Sequence, residues 1–180
     1  RDISRSVPYA KHSAELTESK AALDNPWRWL CLPPVITTHA DRLSAPEETV
    51  WQRLPDADLA TNLYVAAASY FGVSTRYCLL AAPGTQSLLK MLPRVLVAKK
   101  VAIIAPTYNE HARCWARAGA EVIEIEALSE ISVDADIVVV VNPNNPDGNT
   151  YRPDVLNGIA LNLAERGGFL IIDEAFCDVQ

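Results

Sequence analysis

Two short apolar runs constrain the fold of this chain more than any other feature. Ile137–Val141 consists of five β-branched residues, and residues 169–172 follow a glycine pair and lead into Asp173 and Glu174. Apolar runs of this length, with no polar alternation, predict strands that are buried on both faces of a parallel sheet. Asp173 then lies at the carboxyl end of a strand, which is where open α/β sheets bind their ligands.

Strand and helix patterns alternate along the rest of residues 55–176. One helix is predicted from an N-cap at Asp56 or Asp58 to a stop at Gly72, and another runs from Pro153 to Arg166. The other predicted elements are strands at 77–82, 101–105 and 121–125, a helix that begins near Ser87 and a helix over Glu110–Arg117. This alternation predicts a three-layer α/β unit with a mostly parallel sheet. Residues 1–50 show no strong periodicity and predict an arm or cover segment.

Composition argues against several classes of function. The chain has 180 residues and a net charge of -6, and it has no lysine–arginine cluster of the kind that binds nucleic acid. No apolar run approaches the roughly 18 residues of a membrane span, and the first residues lack the apolar core of a signal peptide. The four cysteines are far apart and the three histidines lack ligand spacing. We therefore expect reduced thiols, no metal site and a cytoplasmic location.

A candidate phosphate site opens the helix that follows the strand predicted at 77–82. Gly84, Thr85 and Gln86 would present free backbone N–H groups at the positive end of the helix dipole, an arrangement that suits an anion. Neither a P-loop nor a dinucleotide fingerprint is present. Taken alone, the same residues also fit a plain glycine turn with a threonine cap.

Three further candidates follow other predicted strands. Tyr108 is placed to lie flat on a ring-shaped ligand, although such an aromatic residue is often simply packed. Asn145 can offer its amide N–H group to an oxygen, although asparagine is also common in turns. Asp173, as a carboxylate at the end of a buried strand, needs a partner. A pyridinium N–H is a suitable partner, and the alternative is a structural aspartate that caps a helix.

Together these segments resemble class I/II aminotransferases, the fold-type I pyridoxal-phosphate enzymes. The likeness covers roughly residues 50–180 and rests on the segments Gly84-Thr85-Gln86, Pro106-Thr107-Tyr108, Asn142 to Gly148 and Asp173-Glu174-Ala175-Phe176. Within that family, residues 51–56 and 106–113 are most similar to the cobalamin-pathway threonine-phosphate decarboxylases. Histidinol-phosphate aminotransferases are close relatives.

The resemblance implies pyridoxal 5'-phosphate as the cofactor and a role for each candidate residue. The backbone at Gly84, Thr85 and Gln86 would hold the cofactor phosphate, Tyr108 would stack on the ring, Asn145 would bond the phenolic oxygen and Asp173 would pair with the ring nitrogen. Phe176 stands where many relatives have a tyrosine. Residues 51–180 would form a partial large domain whose sheet is incomplete at its C-terminal end, and the small domain would be absent.

The reaction implied by the resemblance is decarboxylation of L-threonine O-3-phosphate to (R)-1-amino-2-propanol O-phosphate, in a homodimeric enzyme of cobalamin biosynthesis. The Schiff-base lysine of the family is expected beyond Asp173, whereas the last lysine here is Lys100. We therefore expect no catalytic residue in this chain and no turnover by the chain alone. Two alternatives stay open: a histidinol-phosphate-type aminotransferase, and a non-catalytic α/β module whose unfinished sheet edge pairs with another chain.

Overall fold

A parallel sheet forms the centre of the computed structural model, which describes residues 29–32, 56–72 and 79–177. Its strands are β1 (Trp29–Leu32), β2 (Lys100–Ile104), β3 (Glu121–Ile125), β4 (Ile137–Val141) and β5 (Phe169–Asp173). The spatial order is β1-β5-β4-β2-β3, and every pair of neighbours is parallel. The predicted parallel sheet is therefore confirmed.

The described helices are α1 (Ala57–Phe71), α2 (Thr85–Val95), α3 (Glu110–Arg117) and α4 (Pro153–Glu165). At the start of α1, the side chain of Asp56 accepts a hydrogen bond of 2.9 Å from the backbone N–H of Leu59. The helix ends at Gly72, whose φ of 63° is the left-handed conformation that glycine adopts without a Cβ clash. None of the described helices is long and apolar enough to cross a membrane.

Helices cover both faces of the sheet. Because side chains alternate along each strand, the strands contribute residues to a core on either face. On one face the core contains Val138, Val140, Leu170 and Ile172 of the sheet with Leu156, Ala160 and Leu163 of α4. On the other face it contains Val101, Val139 and Ile171 of the sheet with Leu89 of α2 and with Cys114 and Trp115 of α3. All five residues of β4 are buried. The predicted three-layer arrangement is therefore confirmed.

The structure differs from the sequence predictions at two segments. β1 lies within the segment predicted as an arm and pairs with β5, so that Leu32 is opposite Asp173. β1 therefore covers one edge of β5. Residues 79–82 form no strand, because no described strand lies beside them to share hydrogen bonds. Tyr77, Cys78 and most of residues 1–50 lie outside the described residues, and the domain boundary near residue 50 stays a prediction.

Candidate functional site

The carboxyl ends of β2, β4 and β5 meet at one edge of the sheet, as the sequence predicted. Val141 is opposite Asp173 in the β4–β5 pair, and the backbone N–H of Asn142 donates to the carbonyl of Asp173 at 2.8 Å. β2 ends at Ile104, four residues before Tyr108. The parallel register therefore delivers the segments that carry Tyr108, Asn145 and Asp173 to the same edge.

Asp173 is buried and has a specific partner that the sequence analysis missed. Its Oδ2 atom lies 2.9 Å from Nε2 of His111, and the two side chains are only 4% and 1% exposed. Its Oδ1 atom accepts a bond of 3.1 Å from the backbone N–H of Ala175. A buried carboxylate is tolerated because it is hydrogen-bonded in this way. His111 therefore sets the orientation of the Asp173 carboxylate.

Tyr108 is half-exposed and is held at its hydroxyl and at its ring. The residue is 43% exposed, and its ring makes an edge-to-face contact with the ring of His111 at a centroid separation of 6.3 Å. Its hydroxyl donates to Oε1 of Gln86 at 3.1 Å. The aromatic surface is thus open to a ligand, while contacts from α2 and α3 restrain its position.

Gly84 is the N-cap of α2. The helix begins at Thr85, two residues before the start predicted near Ser87. Gly84 has φ 87° and ψ 155°, a conformation available essentially only to glycine. Among the described residues, no side chain caps this helix, and a Cβ at Gly84 would meet nothing within 4 Å. The backbone N–H of Gly84 donates to the carbonyl of Ala82 at 2.8 Å, so the prediction that this group is free is wrong. Among the described residues, the N–H groups of Thr85 and Gln86 have no acceptor, so this end of the helix can still receive an anion at those two positions.

The turn after β4 is built on Asn142 and Asn144. The side chain of Asn142 bonds both backbone groups of Tyr151: its amide donates to the carbonyl at 3.2 Å, and its oxygen accepts from the N–H at 2.8 Å. Asn144 accepts from the Thr107 hydroxyl at 2.6 Å and donates to Oδ1 of Asp147 at 2.8 Å. The plain turn role therefore holds for Asn144.

Asn145 has a different environment from its neighbour. Among the described residues, its side chain makes no hydrogen bond, and it lines a cleft of about 420 Å³ together with Tyr108 and Arg113. Asn145 therefore borders space that a ligand can fill. Phe176 is 44% exposed in the turn after β5. The cofactor contacts expected for Asn145 and Phe176 stay predictions.

The charged side chains that line this cleft, Glu110 and Arg113, come from α3. Glu110 accepts from Nε2 of Gln86 at 2.8 Å and from Arg113 at 3.0 Å. These two bonds, that from Gln86 first, hold the pKa of Glu110 below its ordinary value. Neither Glu110 nor His111 was predicted to have a role. The spacing of His111, Cys114 and Trp115, which are all buried on α3, is the sequence signal that could have placed His111 on the inner face of the helix.

Comparison with known proteins identifies the family of this chain. The family model for aminotransferase class I and II matches residues 22–179. The threonine-phosphate decarboxylase of Sinorhizobium sp. is 37% identical over 171 residues, which are 94% of this chain and 51% of that protein. Its counterpart from Pseudomonas aeruginosa is 38% identical over 93% of this chain and 50% of that protein. The chain thus spans about half the length of the curated relatives it matches.

A solved structure shows the same fold. The histidinol-phosphate aminotransferase from Clostridium acetobutylicum superposes with a TM-score of 0.57 and 26% identity, over 68% of this chain and 38% of that chain. The family match confirms the predicted family and, with it, pyridoxal 5'-phosphate as the cofactor of that family. The fold matches that of the solved relative, and the family model matches most of the length of the chain. This chain therefore belongs to the aminotransferase class I and II family.

Proposed function

We propose that this chain is the cofactor-binding part of a threonine-phosphate decarboxylase. The longer enzyme would convert L-threonine O-3-phosphate to (R)-1-amino-2-propanol O-phosphate in cobalamin biosynthesis. The observation that carries the proposal is the buried Asp173–His111 pair beside the exposed ring of Tyr108. The identity of 37–38% to two threonine-phosphate decarboxylases supports this substrate class over others in the family.

The residues at the sheet edge fit the chemical groups of pyridoxal phosphate. The open N-terminus of α2 would receive the phosphate, and Tyr108 offers an exposed aromatic face to the ring. Asn145 has an amide free, among the described residues, for the phenolic oxygen. Asp173 would hold a proton on the ring nitrogen, because an ionised carboxylate favours the charged form of a basic partner. When bound, the cofactor supplies an electron sink for the bond that breaks at the substrate.

His111 and the turn after β4 would keep these groups in place during the reaction. His111 fixes the Asp173 carboxylate from within the core, so the acid does not rotate away from the ring nitrogen. The bonds of Asn144 to Thr107 and Asp147 hold the turn that presents Asn145. Decarboxylation breaks the bond between the α-carbon and the carboxylate, releases CO₂ and adds a proton at the same carbon. These side chains would orient the ring and stabilise its protonated form.

We expect the chain by itself to bind the cofactor without covalent attachment. Lys99 and Lys100 lie at the amino-terminal end of β2, which is the opposite edge of the sheet from Asp173. The side chain of Lys100 is paired with Asp134, and Lys90 is exposed on α2. Neither Lys99 nor Lys100 is therefore placed to attach the cofactor, and the resemblance places the attachment lysine of the family beyond Asp173. The homodimer and the cytoplasmic location implied by the resemblance stay predictions.

Titration of the purified chain with pyridoxal phosphate tests the cofactor assignment. We expect saturable binding in calorimetry and weaker binding by Asp173→Asn, since the amide cannot favour a protonated ring nitrogen. The matched control is Glu165→Gln, which removes an exposed acid at the end of α4. Borohydride reduction should leave no cofactor on a lysine of this chain. Equal binding by the wild type and Asp173→Asn would contradict the assigned role of Asp173.

A histidinol-phosphate-type aminotransferase is the second candidate, favoured by the 26% identity to the structure from Clostridium acetobutylicum. A longer protein that carries these residues would decide between the two reactions. With L-threonine O-3-phosphate, a decarboxylase releases CO₂ and needs no amino acceptor. With histidinol phosphate, an aminotransferase transfers the amino group to a 2-oxo acid and releases no CO₂. Activity only in the second assay would overturn the proposal, and a chain that binds no cofactor would favour the non-catalytic module.

A further inference from the structure

A directional chain of hydrogen bonds joins the starts of α2 and α3. Glu110 accepts through Oε2 from Nε2 of Gln86 at 2.8 Å, and Gln86 accepts through Oε1 from the hydroxyl of Tyr108 at 3.1 Å. The second carboxylate oxygen of Glu110 accepts from Arg113 at 3.0 Å. Arg113 is 62% exposed, whereas Glu110 is 20% exposed and therefore lies closer to the protein interior.

The carboxylate of Glu110 determines the direction of the two hydrogen bonds that link Glu110, Gln86 and Tyr108. A glutamine amide has a donor end and an acceptor end of similar size, whereas an ionised carboxylate only accepts. Because Glu110 takes the NH₂ end of Gln86, the carbonyl end must face Tyr108. The phenol must then donate its proton. If the amide were reversed, two acceptor oxygens would face each other, one from Glu110 and one from Gln86.

We propose that Glu110 is a positioning residue that orients the Gln86 amide and, through it, fixes the hydroxyl and ring of Tyr108. The ring needs such a restraint, because it is 43% exposed. The ring also makes an edge-to-face contact with His111, and His111 is the hydrogen-bond partner of the buried Asp173. The consequence for the cofactor rests on the function proposed above: Glu110 would set the plane on which the ring stacks without touching the ring itself.

Nuclear magnetic resonance of the unloaded chain tests the orientation directly. The chain has three glutamines, Gln52, Gln86 and Gln180, so selective ¹⁵N labelling gives few side-chain amide signals, and Gln86→Leu identifies one of them. We expect widely separated shifts for the two Gln86 amide protons, because one proton bonds a carboxylate. Glu110→Ala should bring the two shifts together, whereas the control Glu165→Ala should not. Unchanged Gln86 signals in Glu110→Ala would overturn the proposal.

A double-mutant cycle tests the link to Tyr108. Glu110→Ala and Tyr108→Phe should each weaken pyridoxal phosphate binding by roughly threefold to tenfold, the range for loss of the neutral hydrogen bond between Tyr108 and Gln86 that both changes affect. The double variant should lose no more than the weaker-binding single variant, since both changes break the same chain. Fully additive losses would overturn the proposal. A wild-type chain that binds no cofactor would contradict the proposed function, while the resonance experiment would still test the orientation of Gln86.

Discussion

Replacing His111 with phenylalanine should destabilise the protein strongly, because it leaves the Asp173 carboxylate buried without its side-chain partner. Both side chains are almost completely buried, at 1% and 4% exposure, and their atoms lie 2.9 Å apart. In the variant, the described contact that remains to the carboxylate is the backbone N–H of Ala175, at 3.1 Å. The phenylalanine ring fills the space of the imidazole but offers no hydrogen bond.

The magnitude follows from the burial of the pair. Removing the hydrogen-bond partner of a buried polar group costs about 1–3 kcal/mol, and more when the group that remains is a carboxylate, because that group is left unpaired in a medium of low polarity. The total stability of a domain is roughly 5–15 kcal/mol, so this loss is a large fraction of the total. Replacing both partners with apolar groups removes the unpaired charge as well. We therefore expect the double variant His111→Phe/Asp173→Leu to be more stable than His111→Phe.

Urea unfolding followed by far-ultraviolet circular dichroism measures these differences as shifts of the midpoint at constant slope. The matched control is Arg152→Ala, which breaks the exposed pair with Asp154 (side chains 81% and 63% exposed) and should leave the midpoint almost unchanged. A loss below about 1 kcal/mol for His111→Phe, the value typical of an exposed pair, would refute the reasoning. A double variant no more stable than His111→Phe would refute it too.

Three further predictions concern other parts of the fold. Gly168→Ala places a Cβ 2.6 Å from the carbonyl oxygen of Asp136, so the free energy of unfolding in urea should fall by about 1–3 kcal/mol; an unchanged midpoint would contradict this overpacking. In Gly84→Ala the added Cβ contacts no atom within 4 Å, yet the φ of 87° should still lower the free energy of unfolding by about 1–3 kcal/mol in the same assay. An unchanged free energy of unfolding would mean that the backbone relaxes. The pKa of Asp147 lies below its ordinary value of 3.8, mainly because the Asn149 N–H donates to it. The ionised Asp147 carboxylate therefore stabilises the fold fully at pH values above its ordinary pKa, and this stabilisation is lost as the pH falls through the pKa of the folded state. Asp147→Asn should consequently show a shallower acid-induced loss of ellipticity than the wild type.

The local patterns of the sequence predicted most of the described elements because those elements are strongly patterned. Ile137–Val141 is both β-branched and apolar throughout, and it forms β4 with every residue buried. Glu110–Arg117 forms α3 with the predicted bounds. The start of α1 at Asp56 and its end at Gly72 follow from capping chemistry that acts within one turn.

The remaining elements depend on residues that are distant in the sequence. β1 has four residues, too few for a periodic pattern, and it forms a strand because β5 offers a free edge. The contact between His111 and Asp173 spans 62 positions, so no local pattern along α3 indicated which group His111 meets. Gln86 was predicted to act through its backbone. Its side-chain bond to Glu110 depends on the packing of α2 beside α3, which no local pattern in the sequence indicates.

The two bonds between Asn142 and the backbone of Tyr151 have a consequence for how the site exchanges with solvent. They reproduce, with one side chain, the paired bonds that two strand residues would make, and they close the turn that carries Asn145. The N–H of Tyr151 lies outside every strand and helix, yet it should exchange slowly with deuterium, because it is released only when the closed turn opens. A single amide signal therefore reports how often the turn that carries Asn145 opens, and Asn142→Ala should make that exchange fast.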